Sequence, residues 1–340
     1  MLSPLQTSLA ATLIVATHNR AHALSRLLAV LASDVNRTFS WEVVVADNGS
    51  SDKTSELLRR NEWKLPLKHL YLTAPGKAKA LNAALRIASG ELVVFTDDDV
   101  TPSRGWIEKL SRAQQKQTNG VVFTGPIIPR FPANTPAWLI NHPLAVVLYA
   151  RYQPNQPSEG FISPQCAPFG PNFAVRREAI GNTAFREDLG PSDENGPLSY
   201  DDCEFLAEVR AKHSPFVPQG GFYYIPSASV FHEVRQEQIS RQWIYQRFFN
   251  NGRSTVAVTG RIIPMAGPPL FTTSDVGLAE HEEIMLGASV NYYMGALFQL
   301  RLRGDASRAS DLANQLGYCP AVRARRLLSP SAFALAETLW

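Results

Sequence analysis

Three consecutive aspartates, Asp97, Asp98 and Asp99, are the residues whose type and position most clearly allow chemistry. They follow the apolar run 91–96, which is typical of a buried strand. Strand geometry then predicts that Asp97 and Asp99 point to one side and Asp98 to the other. Adjacent carboxylates repel one another, and a divalent cation such as Mn²⁺ or Mg²⁺, held also by substrate phosphates, would offset that repulsion. A solvated acidic turn ahead of a helix near Trp106 is the alternative.

Short apolar runs alternate with helical patterns through the first hundred residues. The predicted strands are 12–17, 41–47, 67–72 and 91–96, and the predicted helices are 23–32, 52–60 and 78–88. Ser50 or Ser51 is the expected N-cap of the second helix, and Gly90 is the expected C′ residue that ends the third. This alternation predicts a mostly parallel sheet with helices on both faces, whose ligands bind beyond the carboxyl ends of the strands.

The remainder of the chain has a weaker pattern. Residues 126–171 are rich in proline and aromatic residues and predict long loops with short strands or helices. Further predicted elements are a strand at 173–176, a strand pair at 221–230 and helices at 201–211, 239–250, 275–304 and 306–316. The proline-glycine stretch at 264–269 is the candidate linker before the C-terminal helices.

Composition limits the class of protein. The 340 residues are 45% hydrophobic and 19% charged, which indicates a folded protein, and a net charge of +3 without a basic stripe gives no support for a nucleic-acid partner. The three cysteines are widely spaced, as expected of reduced thiols in a cytoplasmic protein. The most apolar stretch, 285–300, contains polar residues and predicts a packed helix. Peripheral contact with the inner face of a membrane is the alternative for it.

Several ordered segments resemble glycosyltransferase family two, the inverting enzymes of GT-A fold. The segments are 13–20, 43–54, 76–84, 90–99 and 200–205, and the resemblance covers roughly residues 10 to 255. It implies an α/β, GT-A type nucleotide-binding fold, with a mostly parallel central sheet flanked by helices and a C-terminal helical extension. It also implies a nucleotide-sugar-binding half at 1–125, an acceptor-binding and catalytic half at 126–260, and a helical extension at 261–340.

The resemblance places the nucleotide at the ends of the first two strands. It implies that Thr17, Asn19 and Arg20 line the pocket for the base and ribose, and that Asp47 binds the edge of the base. A carboxylate accepts a hydrogen bond from a ring N–H of uracil, thymine or guanine. A UDP-sugar is therefore the favoured donor, with GDP- and dTDP-sugars as alternatives. The alternative role for Asp47 is an Asx-turn with Asn48.

Contacts with the diphosphate and the sugar follow from the same resemblance. Either Lys77 or Lys79 supplies positive charge toward the diphosphate, and a solvated helix face is the alternative for each. Asn82 is a candidate sugar contact. Asp97 is assigned to the ribose or the sugar, and Asp98 is secondary because it points the other way.

The resemblance assigns the metal to Asp99, with His232 completing the metal site or approaching the diphosphate. A structural role is the alternative for this histidine, although a neutral imidazole can ligate metal.

The acidic pair at 201–202 and the segment at 170–177 are assigned to the acceptor. In the family the second acidic residue is the general base, which here is Asp202, while Asp201 and Asn172 are expected near the acceptor. Asp201 followed by Glu204 also fits a capping-box-like helix start, which needs no catalysis.

These residues predict an inverting, metal-dependent transfer of a sugar to a saccharide, lipid-linked or small-molecule acceptor. Polysaccharide, glycolipid or glycoconjugate biosynthesis is the expected setting. A sugar-phosphate nucleotidyltransferase is one alternative, but it would normally carry a glycine-rich, basic loop where this chain has residues 17–20. A non-catalytic nucleotide-sugar-binding protein should lack the combination of Asp47, Asp99 and Asp202.

Overall fold

The structure is a computed structural model that describes residues 9–34, 39–74, 76–163, 166–192, 196–213, 221–263, 280–317 and 327–338. The predicted linker at 264–269 and the start of the helix predicted at 275–304 lie outside these residues. The chain divides into two compact units. The first comprises Met1–Arg130, Tyr149–Glu194 and Asp201–Glu233, and the second comprises Phe131–Leu148, Asn195–Tyr200 and Val234–Trp340.

Strands and helices alternate from β1 to β4, as predicted for the first hundred residues. The strands are β1 Ala11–Thr17, β2 Trp41–Asp47, β3 Leu67–Tyr71, β4 Leu92–Thr96, β5 Val100–Pro102, β6 Val122–Thr124, β7 Ile127–Arg130, β8 Gly160–Phe161, β9 Phe173–Arg176, β10 Pro191–Ser192, β11 Gly196–Pro197, β12 Phe222–Tyr224 and β13 Val230–Glu233. The helices are α1 Ala21–Ser33, α2 Thr54–Arg60, α3 Lys77–Ile87, α4 Trp106–Lys116, α5 Ala137–Asn141, α6 Ala145–Tyr149, α7 Arg177–Ile180, α8 Asp201–His213, α9 Arg241–Thr259, α10 Glu280–Leu302, α11 Ala306–Gly317 and α12 Pro330–Glu337, with a 3₁₀ helix at Gln236–Ile239.

The central sheet has the strand order β3-β2-β1-β4-β9-β6-β12-β8. Strands β1 to β4 pair in parallel, whereas β9 runs antiparallel to both β4 and β6. The prediction of a strand pair at 221–230 is wrong, because β12 pairs with β6 and β8 while β13 joins β5 and β7 in a separate sheet. These pairings join segments far apart in the chain, which local periodicity does not reveal.

The core of the first unit is built from strands that are apolar on both faces. Every residue of β2 is buried, and β1 is buried at all but one position. Helix α1 covers this sheet with the buried face of Leu24, Leu27, Leu28 and Leu31, which recur at helical spacing. The fully buried strands therefore fix the position of the polar residues that follow them.

Two predicted helix ends are wrong. Helix α2 begins at Thr54 with Lys53 as its N-cap, and the hydroxyl of Ser50 instead accepts a hydrogen bond from the Asn19 amide at 2.9 Å. Gly90 is not a left-handed C′ residue, since the cap of α3 is Ala88 in an extended conformation. A Cβ atom on Gly90 would lie 2.3 Å from the main-chain carbon of Ala11, so glycine is needed there for close approach to β1.

The second unit is helical. Helix α9 begins after the N-cap Ser240 and continues to Thr259, beyond the predicted end at residue 250. It packs closely on α10, because a Cβ atom on Gly252 would lie 1.8 Å from the Tyr292 carbonyl oxygen and one on Gly295 would lie 1.8 Å from that of Phe249. Within the described ranges, none of the helices is both long and apolar enough to cross a bilayer.

Candidate active site

Strand β4 lies at the centre of the sheet, between β1 and β9. The three aspartates follow its carboxyl end and so lie at the edge of the sheet formed by the carboxyl ends of the parallel strands. Asp98 is buried, and its carboxylate accepts hydrogen bonds from the Thr17 hydroxyl at 2.7 Å and from Arg20 Nη1 at 2.9 Å. Asp97 and Asp99 come together instead with a histidine from β13. Asp97 and Asp99 thus share a cluster with His232 that Asp98 does not join, although Arg20 contacts both Asp98 and Asp99.

The histidine is His232, which pairs with Val100 in the second sheet and so lies beside the aspartates. One ligand atom each from Asp97, Asp99 and His232 falls within 4.8 Å of the others. The Nδ1 atom of His232 lies 3.0 Å from the Tyr149 carbonyl oxygen, and Nε2 lies 3.3 Å from Asp99 Oδ1. An Nδ1–H that donates to a carbonyl leaves Nε2 for a ligand, and two carboxylates with an imidazole fit a divalent cation such as Mn²⁺.

Arg20 links two of the aspartates, since its Nη1 lies 2.9 Å from Asp98 Oδ1 and 2.6 Å from Asp99 Oδ2. Burial raises the pKa of Asp98 to about 6, although the charge of Arg20 opposes this shift. Burial also disfavours the charged form of Asp99, but the hydrogen bond and charge of His232, followed by Arg20, hold the pKa of Asp99 well below its usual range. Burial lowers the pKa of His232, but the hydrogen bond and charge of Asp99 outweigh it and leave that pKa raised.

Lys77, the first residue of α3, is the lysine that reaches the acidic cluster. Its Nζ lies 3.1 Å from Asp97 Oδ1 and 3.9 Å from Asp201 Oδ2. Burial lowers the pKa of Lys77, but the charges of these two aspartates outweigh it and hold the pKa well above its ordinary value. The side chain of Lys79 is half-buried against Gly76. Of the two alternatives, the geometry therefore favours Lys77.

Asp202 lies in the first turn of α8, with its side chain half-buried. Its Oδ2 accepts a hydrogen bond from the Gly170 amide at 2.5 Å, and its Oδ1 accepts one from the Cys203 amide at 2.8 Å. Main-chain donors therefore fix the orientation of this carboxylate from two sides.

Asp201 is the first residue of α8 and follows Tyr200, whose φ of 76° is left-handed. Its side chain is buried, and burial raises the pKa of Asp201 to about 6, with the charge of Lys77 opposing the shift. Asp201 lies in the first turn of α8, where the helix dipole favours a carboxylate, so the alternative structural role stays open. Asp201 also lies beside the lysine of the acidic cluster.

The loops after β1 and β2 hold each other. Asn19, with a left-handed φ of 53°, accepts hydrogen bonds through its side-chain oxygen from the amides of Ser51 at 2.7 Å and Asp52 at 3.2 Å. Thr17 is buried. These contacts bring the predicted nucleotide residues together at one edge of the sheet.

Asp47 is fully buried, and both of its carboxylate oxygens have partners. Oδ1 accepts a hydrogen bond from the Ser50 amide at 2.9 Å, and Oδ2 accepts one from the Ser55 hydroxyl. His69 Nε2 lies 3.7 Å from Oδ2. The alternative turn role is thus present in this structure, and the contact with a base stays a prediction.

Asn82 is buried, and its amide anchors the chain near Phe185. It donates to the carbonyl oxygen of Phe185 at 2.9 Å and to Glu187 Oε1 at 3.1 Å, and it accepts from the Phe185 amide at 2.8 Å. These bonds favour a structural role for Asn82 over a contact with the sugar.

Asn172 has no exposed surface. Its Oδ1 accepts a hydrogen bond from Trp106 Nε1 at 2.9 Å, and its Nδ2 donates to the carbonyl oxygens of Pro126 at 3.1 Å and Ala228 at 2.9 Å. This burial corrects the expectation of an acceptor contact, because the side chain is enclosed by the protein and its polar atoms are already used.

Two residues join the site that were given no individual role from the sequence, although Gly170 begins the segment 170–177 assigned to the acceptor. Gly170 binds Asp202 through its amide, and Tyr149 binds His232 through its carbonyl oxygen. Both act through main-chain atoms, which every residue carries, so no side-chain pattern identifies them.

Solved structures share this fold. The structure of S. aureus TarS 1-349 in complex with UDP matches with a TM-score of 0.53 and 17% identity, covering 93% of this chain and 92% of that one. Mannosyltransferase PcManGT from Pyrobaculum calidifontis, in complex with GDP-Man and Mn²⁺, matches with a TM-score of 0.50 and 23% identity, covering 97% and 86%. The chain therefore has the GT-A fold of nucleotide-sugar transferases.

Sequence relatives lead to the family. Validoxylamine A glucosyltransferase of Streptomyces hygroscopicus subsp. jinggangensis is 31% identical over 34% of this chain and 28% of its own length. Succinoglycan biosynthesis protein ExoM of Rhizobium meliloti is 22% identical over 71% of this chain and 72% of its own length. The family described as Glycosyl transferase family 2 matches residues 12–181, which is half of the chain. The chain belongs to glycosyltransferase family 2.

Proposed function

We propose that this protein transfers a sugar from a nucleoside-diphosphate sugar to an acceptor hydroxyl, with inversion at the anomeric carbon and with the help of a divalent metal. The observation that carries the proposal is the meeting of Asp97, Asp99 and His232 at the sheet edge, with Lys77 between Asp97 and the acidic pair of α8. Ligands of open α/β sheets bind at this edge.

For the donor, we place the base near Thr17 and Asp47, with Asn19 and Arg20 toward the ribose. A UDP-sugar is favoured, with GDP- and dTDP-sugars as alternatives, and relatives in complex with UDP and with GDP-Man support this class. Lys77, whose Nζ lies 3.1 Å from Asp97 Oδ1, is assigned to the diphosphate. A base contact by Asp47 would require its carboxylate to exchange one of its present partners.

Asp97, Asp99 and His232 would hold the cation, either Mn²⁺ or Mg²⁺. When bound, such a cation offsets the charge that develops on the departing diphosphate. Tyr149 orients the imidazole through its carbonyl oxygen, and Arg20 holds Asp99 in place. These contacts keep two of the three ligand side chains in position before a donor arrives.

For the acceptor, Asp202 takes the proton from the attacking hydroxyl. The bond between the acceptor oxygen and the anomeric carbon forms on one face while the bond to the diphosphate oxygen breaks on the other. The diphosphate leaves with its electron pair, and one displacement inverts the carbon. Asp201 lies beside this carboxylate and pairs with Lys77.

This proposal keeps 1–125 as the donor half, 126–260 as the acceptor-binding and catalytic half, and 261–340 as a helical extension. The acceptor is a saccharide, a lipid-linked molecule or a small molecule, in polysaccharide, glycolipid or glycoconjugate biosynthesis. A cytoplasmic location, including peripheral contact with a membrane, belongs to the same proposal.

A panel of nucleotide sugars tests it. We expect release of nucleoside diphosphate from one donor class when Mn²⁺ or Mg²⁺ is present, and thermal stabilisation by that same donor. NMR of the product should show the anomeric configuration opposite to that of the donor. Retention of configuration would replace the proposal with a retaining transferase. Pyrophosphate release from a nucleoside triphosphate and a sugar phosphate, with no turnover of any nucleotide sugar, would replace it with a nucleotidyltransferase.

A further inference from the structure

The turn that precedes β9, residues 169–172, is fixed to the protein at three points. The Thr96 hydroxyl donates to the Pro171 carbonyl oxygen at 2.7 Å, and the Thr124 hydroxyl donates to that of Asn172 at 2.7 Å. The buried amide of Asn172 adds bonds to Trp106 and to two main-chain carbonyls. Because these partners come from several different elements, the turn is held rigidly.

Gly170 lies in this turn and faces the charged groups. A Cβ atom built on it would lie 3.3 Å from Asp202 Oδ2, 3.8 Å from Asp97 Oδ2 and 3.8 Å from Lys77 Nζ. The missing side chain therefore leaves a space bordered by the proposed base and by the proposed donor side of the site. Its amide, in turn, donates to Asp202 at 2.5 Å.

We infer that Gly170 is a positioning residue for sugar transfer. Its amide, held by the Thr124 and Thr96 bonds, aims the Asp202 carboxylate, and its lack of a side chain keeps open the space in which the acceptor hydroxyl meets the anomeric carbon. The inference rests on the proposed function, in which Asp202 takes the proton of that hydroxyl.

The distances indicate that a methyl group at position 170 would disturb the Asp202 carboxylate but not the donor side of the site. At 3.8 Å, contacts with Asp97 and Lys77 are ordinary van der Waals contacts and leave the donor side in place. At 3.3 Å, the carboxylate of Asp202 must shift by a few tenths of an ångström. A misplacement of that kind lowers turnover while sparing donor binding.

Gly170→Ala is therefore expected to lower kcat for transfer by at least about tenfold, with the KM for the donor and the affinity for nucleoside diphosphate changed less than about twofold. Gly170→Val, which fills more of the space, should lower kcat further. The matched control is Gly160→Ala, whose new methyl group meets only the end of the Gln156 side chain at 2.8 Å. This control should keep wild-type kcat.

A second pair of variants tests the support of the turn without touching the space. Thr124→Val removes the hydroxyl that binds Asn172, whereas Thr124→Ser keeps it. We expect Thr124→Val to lower kcat at an unchanged donor KM, and we expect Thr124→Ser to keep the wild-type kcat. Parallel melting curves separate a kcat effect from lost folded protein.

Wild-type kcat in Gly170→Ala would overturn the inference, as would an equal loss of kcat and donor affinity in that variant. Asp202→Asn distinguishes this failure from failure of the proposed function. If Asp202→Asn is inactive while Gly170→Ala is fully active, only the positioning role is refuted. If Asp202→Asn keeps wild-type turnover, the assignment of the base is itself refuted.

Discussion

Four carboxylates and three basic groups share one edge of the sheet. Arg20 neutralises Asp98 and Asp99 on one side, Lys77 lies between Asp97 and Asp201 on the other, and His232 lies against Asp99. These ion pairs stabilise the cluster before any ligand binds. In the proposed function, a cation and a diphosphate would enter an organised set of charges and exchange partners with it.

Asp99→Asn tests the metal assignment. The amide keeps the size of the side chain but removes a charged ligand, so Mn²⁺ affinity measured by calorimetry should fall about tenfold or more, and transfer should fall with it. Asp34→Asn is the control, since Asp34 binds the Gly105 amide and Arg104 and is not among the proposed ligands. Full transfer activity after rigorous metal removal would contradict the prediction.

Asp202→Asn tests the base. An amide cannot take the proton of the acceptor, so turnover should fall roughly a hundredfold or more, while nucleotide affinity is kept. Glu208→Gln on the same helix changes a surface carboxylate paired with Lys212 and should leave turnover unchanged. Single-turnover rates would decide the matter, and an active Asp202→Asn beside an inactive Asp201→Asn would transfer the role to Asp201.

Asp201→Asn should change how stability depends on pH. Burial raises the pKa of Asp201 to about 6 from the ordinary 3.8, so the folded state binds a proton that the unfolded state has released. This contribution is fully present below pH 3.8 and is lost as the pH rises through 6. The stability of the natural protein minus that of Asp201→Asn should therefore fall between those pH values, by about 1–3 kcal/mol. Denaturant unfolding at several pH values measures this difference, and a flat difference would refute the raised pKa.

At the scale of elements, the first four strands were predicted to within a residue or so, because a strand buried on both faces is a continuous apolar run that ends at polar residues. The aspartates and the loop at 17–20 follow from those ends. Strand β12 pairs with β6 and strand β13 pairs with β7, and both pairings join distant segments that local patterns did not predict. The roles of Gly170 and Tyr149 depend on such distant contacts too.

Gly90→Ala tests how closely the connection between α3 and β4 approaches β1. The added Cβ would lie 2.3 Å from the Ala11 main-chain carbon and 2.4 Å from the Thr12 nitrogen, and neither atom can move without shifting the strand. We expect a loss of stability of about 1–3 kcal/mol or more in denaturant unfolding, the range for overpacking. A change below about 0.5 kcal/mol, the usual range for a neutral surface substitution, would show that the strand accommodates the methyl group.

At the scale of the whole molecule, the family match and the site do not coincide. The match ends at residue 181, whereas Asp202 and His232 come later in the chain. The matched part contains the donor side of the proposed site, and the segment beyond it contributes the proposed base and the third proposed metal ligand. The resemblance nevertheless assigned roles to both of these later residues, and the pairing of β13 with β5 is the contact that brings His232 beside Asp99.

The reversed direction of β9 has a consequence for the order of folding. Strands β1 to β4 pair through one continuous stretch of chain, but β9 joins β4 only when Phe173 reaches Phe95, and β12 joins β6 only when Phe222 reaches Val122. Pairings across such long separations close large loops, and their entropy must be lost before the contacts form. The turn that holds Gly170 precedes β9, so it reaches Asp97 late. A partly folded chain would then have the proposed nucleotide-binding loops in place before the proposed catalytic residues come together.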